Sequence, residues 1–372
     1  MEELLIADFN PDTLGEHVTN ARLFKGSEKL PFLAPRGVHV VDNQLFVSDT
    51  GQNRVFIWHQ LPTTEYQEPD VILGQEAIEN AGRNAGGSVT ASTLHYPSGI
   101  WSDGQRLIVA DAWNHRVLIW HQLPTETAQP ADVVLGQPNF TTNLPNVTGV
   151  GSDPTAQSMH WCYGVWSDGT QLWVADTGNR RVLYYHEIPT ESYTPADKVI
   201  GKTHLAERDY INEDPIWPYS VKVNEQGHMI IADTQFYRAL LWKDHQQAFS
   251  QSADIIIGQN TFEDCGQNQY RLAPEAHTLN WCYDACFYKN GILMNDTGNS
   301  RILWFEELPT MNNAPANAVI GKRNFTTASD NRDTLLGTQS SLYWQFSITT
   351  QNDQLIIADT GNHRIVMADL LV

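Results

Sequence analysis

Val109-Ala110-Asp111-Ala112-Trp113-Asn114-His115-Arg116-Val117-Leu118-Ile119-Trp120 recurs as Val174-Ala175-Asp176-Thr177-Gly178-Asn179-Arg180-Arg181-Val182-Leu183. The Asp of this unit stands at Asp49, Asp111, Asp176, Asp233, Asp296 and Asp359. An Arg follows five residues later each time, at Arg54, Arg116, Arg181, Arg238, Arg301 and Arg364. The Asp-to-Asp steps are 62, 65, 57, 63 and 63, so the 372 residues hold six units of about 62. A length that would otherwise suggest two or three domains reads as one ring of repeats, a single domain over 1–372.

Each unit predicts four short strands. Strand A is Pro97-Ser98-Gly99-Ile100-Trp101, and Ser102-Asp103-Gly104 turns the chain, Asp-Gly being a strong hairpin signal. Strand B, 106–110, is β-branched and reads as alternating. The Asp-x-x-Asn-x-Arg loop leads into strand C, 117–120, and Leu123-Pro124-Thr125 leads on to strand D, 132–136. No helical period of useful length occurs. The expected fold is all-β, a six-bladed β-propeller of four-stranded blades. The last unit ends after its strand C, 365–370, and lacks strand D. Residues 22–26 resemble the D strands, so segment 1–26 is expected to close the ring and cover that edge. Residues 4–8 also read as a strand, with no place assigned.

Asp176 to Val182, Asp296 to Ile302 and Asp359 to Ile365 carry Asp-Thr-Gly-Asn-x-Arg-hydrophobic. This resembles the hallmark of the NHL-repeat propellers, and the tail Leu123 to Phe140 is similar to a subtype frequent in bacterial proteins of unassigned role. The resemblance covers nearly the whole chain. It implies the fold and leaves function open, because NHL-like propellers include protein- and RNA-binding modules, lyases and hydrolases.

The formal charge is −20, with no run of basic residues, which argues against nucleic acid and anionic membranes as partners. No apolar stretch is long enough to span a bilayer, and the first residues lack a signal-peptide pattern, so a cytoplasmic monomer is expected. Four cysteines are too few for a disulfide framework and suit a reducing compartment. No Gly-x-Ser-x-Gly elbow, His-Glu-x-x-His or phosphate-binding glycine loop is present.

The repeat separates scaffold from site, since one active site does not need six copies. The Asp/Arg pair therefore reads as structural, with Asp capping the turn and Arg bridging the hairpin. The departures lie at the start of strand A, beside the central channel. There the column runs Pro35, Pro97, Cys162, Pro218, Cys282, Gln345, preceded by Ala34, Tyr96, Trp161, Trp217, Trp281, Trp344. It is followed by Arg36, Ser98, Tyr163, Tyr219, Tyr283, Phe346. The long D-to-A loops, 75–96, 137–160, 202–217, 259–281 and 322–344, end at this aromatic collar. The B-to-C loops are expected on the same face.

Two readings follow. In the first, the protein is a non-enzymatic binding propeller. Arg36, Tyr96, Trp161, Tyr163, Trp217, Tyr219, Trp281, Tyr283 and Trp344 then take a small ligand or a partner protein by stacking. The plain counter-reading of these aromatics is packing between blades. In the second, Cys162, Cys282, Cys286, Asp284 and His160 make a metal or catalytic site for Zn or Cu, soft sulfur ligands favouring these ions. Cys282 and Cys286, four apart on a strand, are expected on one face with Asp284 between them. The counter-reading is inert buried thiols.

Overall fold

Each Asp-to-Arg repeat takes the chain through one turn of 3-10 helix. In the third blade the turn is Thr177–Asn179, followed by Arg180 in the left-handed region at φ 57°. Strands B and C thus run antiparallel, and Asp176 stands opposite Arg181. The computed structural model describes residues 14–208, 215–333 and 336–371. Within them, 24 strands form six four-stranded antiparallel sheets, the blades of a six-bladed propeller. The second blade is typical, with strands Pro97–Ser102, Leu107–Asp111, Arg116–Trp120 and Val133–Leu135.

The ring closes as expected. Val18–Phe24 pairs antiparallel with Arg364–Leu370, making the sheet order N-terminal strand, C, B, A in the sixth blade. The strand begins earlier than the sequence suggests and stops at Phe24, because Gly26 at φ 84° turns the chain into a bridge with Pro31. The strand-like residues 4–8 lie outside the described residues.

Strand B does not alternate. Leu107–Asp111 is buried at every position. A propeller blade packs both faces on its neighbours, so neither face meets water. Leu107 and Val109 pack with Phe46 and Val55 of the first blade. Ile108 and Ala110 pack with Val174 and Leu183 of the third.

The Asp/Arg pairs form on the face where these turns lie. In all six blades Arg Nε sits 2.6–2.8 Å from Asp Oδ2, and the side chains are at most 3% exposed. The carboxylate does not cap its own turn. Its second oxygen instead accepts the backbone N–H sixteen residues upstream, as from His95 to Asp111 and from His160 to Asp176. Arg116 spends its remaining donors on Phe140 O, beyond strand D, and on Thr90 O and Thr93 O, before strand A. One guanidinium thus ties both long loops of a blade to its central hairpin.

The rest of the motif is equally used. The Thr hydroxyl donates to the strand A carbonyl of the next blade, at Pro97, Pro218, Cys282, Gln345 and Pro35. The motif Asn donates to the Asp and exchanges amide hydrogen bonds with a loop Asn, as in Asn114 with Asn84 and Asn179 with Asn146. Asn146 matches a glycosylation pattern in sequence, but its amide is committed to this buried pair.

Removing one partner of a buried, hydrogen-bonded ion pair leaves an uncompensated charge, at a cost of about 3–5 kcal/mol. Arg181→Leu should therefore lower the unfolding free energy by about that amount in guanidinium titrations. A loss below about 1 kcal/mol would contradict the role given to the pair. Deleting residues 1–26 uncovers the edge of Arg364–Leu370. The truncated chain should melt earlier and associate on size exclusion; a monomer with an unchanged melting temperature would refute closure as a stabilising element.

Candidate functional site

The D-to-A loops and the B-to-C turns share one face. The turn N–H groups of Gly178, Gly298 and Gly361 donate to His160 O, Asn280 O and Tyr343 O, at 2.7–2.9 Å. The collar residues Ala34, Tyr96, Trp161, Trp281 and Trp344 are all left-handed, with φ of 47–59°. That conformation is costly for a bulky residue and must be imposed by its surroundings. The cause is a clamp from the preceding blade. Tyr96 N donates to Asn53 Oδ1, Trp161 N to His115 Nδ1, Trp344 N to Ser300 Oγ and Ala34 N to His363 Nδ1. The variable residue of Asp-x-x-Asn-x-Arg is therefore a collar holder.

Trp217 does not belong to the collar column. Its N–H donates to Asp233 Oδ1, the bond His160 makes to Asp176 in the third blade, and its carbonyl accepts from Thr234 N. The fourth blade lacks one residue before strand A, so Trp217 takes the preceding position and has no left-handed φ. Arg180 stacks on it at 4.3 Å.

Below the collar, the next side chains meet around the axis. Tyr163 stacks on Tyr219 at 4.9 Å, Tyr219 meets Tyr283 edge-on at 4.7 Å, and Tyr283 lies 4.2 Å from Phe346. Arg36 completes the circle, 3.8 Å over Phe346 and 5.0 Å over Tyr96. Burial pushes the Tyr283 phenol up to about 12 and raises those of Tyr163 and Tyr219. The space left beneath these rings is about 50 Å³, room for water alone. Collar and ring therefore plug the channel, and what they offer a partner is surface. Trp113 is stacked on Tyr96 at 4.5 Å, donates to Tyr163 Oη, and is 42% exposed; Trp161 is 45% exposed.

The thiols do not gather. Cys162 and Cys282 are buried in different blades, and each Sγ donates to a carbonyl of the preceding blade, Arg116 O at 3.1 Å and Arg238 O at 3.0 Å. Gln345 makes the same bond to Arg301 O. Burial raises both thiols well above the ordinary range and pushes Cys286 up to about 12.

Cys282 and Cys286 do not share a face, because the strand bulges between Cys282 and Asp284 and alternation restarts beyond it. Cys282 packs toward the fourth blade with Ala232, and Cys286 toward the sixth with Ile357. Asp284 accepts from Ser347 Oγ, Ile348 N and Ala285 N. His160 lies on the loop face, 5.3 Å from the ring of His115. Among the described residues no three His, Cys, Asp or Glu side chains are grouped to hold a metal, so Zn or Cu has no converged donor set here.

The channel continues past a waist lined by Gly99 and Gly164 on one side and Ser220, Asp284 and Ser347 on the other, and Gly37 holds the equivalent position in the first blade. A Cβ at Gly37 would sit 2.0 Å from Ser98 O, so the strands can meet there only without one. Beyond the waist the fifth residues of strand A, Trp101, Trp166, Lys222, Cys286 and Thr349, border the widening channel, and His39 of the first blade lies against the two indoles. Sequence reasoning looked only at the start of strand A and missed this layer. The same blade-by-blade comparison, carried three residues further along the strand, exposes Lys222 as its sole cation.

No family model matches this chain, and no curated protein sequence matches it. Solved structures do. One is a streptogramin B lyase, 11% identical over 94% of this chain and 97% of that one, with a TM-score of 0.45. Another is an inactive variant of virginiamycin B lyase from Staphylococcus aureus with quinupristin, 8% identical over 95% and 99%, TM-score 0.46. A third is the computationally designed protein Ika8, 7% identical over 94% and 100%, TM-score 0.43. At these values no residue and no activity is carried across.

The clamp titrates. His115 Nδ1 must stay unprotonated to accept from Trp161 N, and burial lowers this imidazole to about 3. Burial and the nearby Lys222 charge lower His39 to about 4. The unfolded chain takes up these protons near pH 6.5 and the folded one does not. Their contribution to stability is thus full above pH 6.5 and is lost as pH falls toward about 4 for His39 and about 3 for His115. The urea midpoint should fall over that window. His115→Asn, which copies the Asn53 clamp, should fall less; an equal fall in both proteins would remove His115 from the account.

Proposed function

We propose that this protein is a non-enzymatic binding propeller of the NHL type whose D-to-A face recognises a partner protein. One observation carries the reading. Among the described residues ten large apolar side chains are strongly exposed, and eight of them belong to the loops of this one face: Leu33, Trp113, Leu144, Val150, Trp161, Tyr270, Leu272 and Leu336. A soluble surface does not concentrate exposed apolar groups without use for them. Aromatic side chains contribute disproportionately to protein interfaces, being large and stiff. The channel mouth beneath has room only for water, which favours a protein surface over a small molecule. Arg36 and the half-buried Tyr96, Tyr163, Trp281 and Trp344 form the rigid platform from which Trp113 and Trp161 project.

The charge of −20 speaks against nucleic acid and anionic membranes as partners. Among the described residues no helix is long and apolar enough to cross a membrane. Free thiols at all four cysteines fit a reducing, cytoplasmic setting.

Trp113→Ala combined with Trp161→Ala tests the reading. Both side chains are well exposed, so the double variant should keep the wild-type melting temperature. It should lose at least about tenfold in recovery of the partner that the wild type retains in a pull-down, the scale of one or two interface anchors. Equal recovery by the two proteins refutes the assignment.

A further inference from the structure

The plugged face leaves the opposite end of the channel open. Between the A-to-B turns lies a cavity of about 690 Å³, within the size range of small-molecule sites. Its walls include Trp101, Trp166, Phe287 and Thr349, with Lys222 at its inner end.

Lys222 is the feature the scaffold does not explain. The other five blades fill this position with His39, Trp101, Trp166, Cys286 and Thr349, so ring closure needs no cation there. The Lys222 side chain is only 14% exposed, and its ammonium lies 4.8 Å from the Trp166 ring. It is ion-paired with Asp284, whose Oδ1 is 3.8 Å away, beyond hydrogen-bond reach. Asp284 itself is held by Ser347, Ile348 and Ala285. Among the described residues no acceptor hydrogen-bonds the ammonium. An ammonium that its ion pair leaves with three donors unbonded by protein, beside a cavity, offers them to an anionic acceptor.

The chemistry of that acceptor follows from its surroundings. One ammonium, its charge shared with Asp284, offers hydrogen bonds to a single negative group. Asp103, Asp168 and Glu225 stand at the rim and repel polyanions such as nucleotides. Lys289, also at the rim, is already paired with Asp353 at 3.0 Å. His39 lies against Trp101 and Trp166 with its Nε2 on Ser102 O, and is uncharged at neutral pH. The indole walls favour a flat apolar body.

We propose that this cavity binds a small aromatic monocarboxylate, its carboxylate on Lys222 and its ring against the half-buried Trp166 and Phe287. The site is separate from the collar face and does not depend on the partner proposed there.

Calorimetric titration of the full chain with indole-3-acetate tests it against the neutral indole-3-acetamide. The acid should bind saturably at one site and the amide at least about tenfold more weakly, the scale of one charge-assisted hydrogen bond. Lys222→Met should weaken the acid to the level of the amide, and Lys222→Arg should restore most of the affinity. Lys25→Met removes a lysine on the outer edge and should bind as the wild type does. The acid–amide comparison uses only the wild-type protein, so it stands even if Lys222→Met folds poorly. No saturable binding of the acid at millimolar concentration, equal binding of acid and amide, or undiminished binding by a folded Lys222→Met would overturn the proposal.

Discussion

The buried Asp/Arg pair organises this molecule. A propeller blade is a simple meander, and nothing in it by itself fixes the long loops that join strand D to the next strand A. The guanidinium does so. It binds the Asp through Nε and the loop carbonyls through its terminal nitrogens, as Arg116 does with Asp111, Phe140 and Thr93. Burial pushes the carboxyls of Asp49 and Asp233 up to about 6, against the pull of Arg54 and Arg238. Such a pair is expensive to desolvate and tolerable only when every donor and acceptor is used. Each used pair therefore fixes loop carbonyls on one face, and those bonds hold the loops beside the collar.

The repeat also explains why the channel differs at its two ends. Strand A bulges shortly after its first residue in four blades, at Pro97, Cys162, Pro218 and Cys282. The bulge lets side chains on both sides of it reach the axis. On the loop side they are large rings that fill the channel. On the turn side they are mixed, and the walls spread into a cavity. An irregularity repeated in four blades thus accompanies a closed, patterned face and an open, asymmetric one.

Much of this was legible in the sequence. The period, the four strands, the closing strand and the structural role of Asp and Arg can be read because each rests on local spacing repeated six times. The errors have a common source. The facing of Cys282 and Cys286 and the alternation of strand B were inferred from an ideal strand in a half-exposed sheet. A bulge and burial on both faces break those assumptions. Trp217 was aligned by residue type, and its shift shows only in which N–H reaches Asp233. The loop residues Asn84, Asn146 and Asn268 carry no signal of their own, since each is recognised only through its partner in a distant turn.

By itself, then, the sequence determined a six-bladed ring, its manner of closure and the division between repeated scaffold and unrepeated side chains, because these depend on periodicity. The tertiary structure decided which unrepeated side chains meet. It sent Cys162 and Cys282 to inter-blade carbonyls, stacked Trp113 on Tyr96, and set Lys222 beside Trp166 and Asp284 from three different blades. The physical reason is the ring. It brings together residues some sixty positions apart, with a register set by bulges and loop bonds that no single repeat contains.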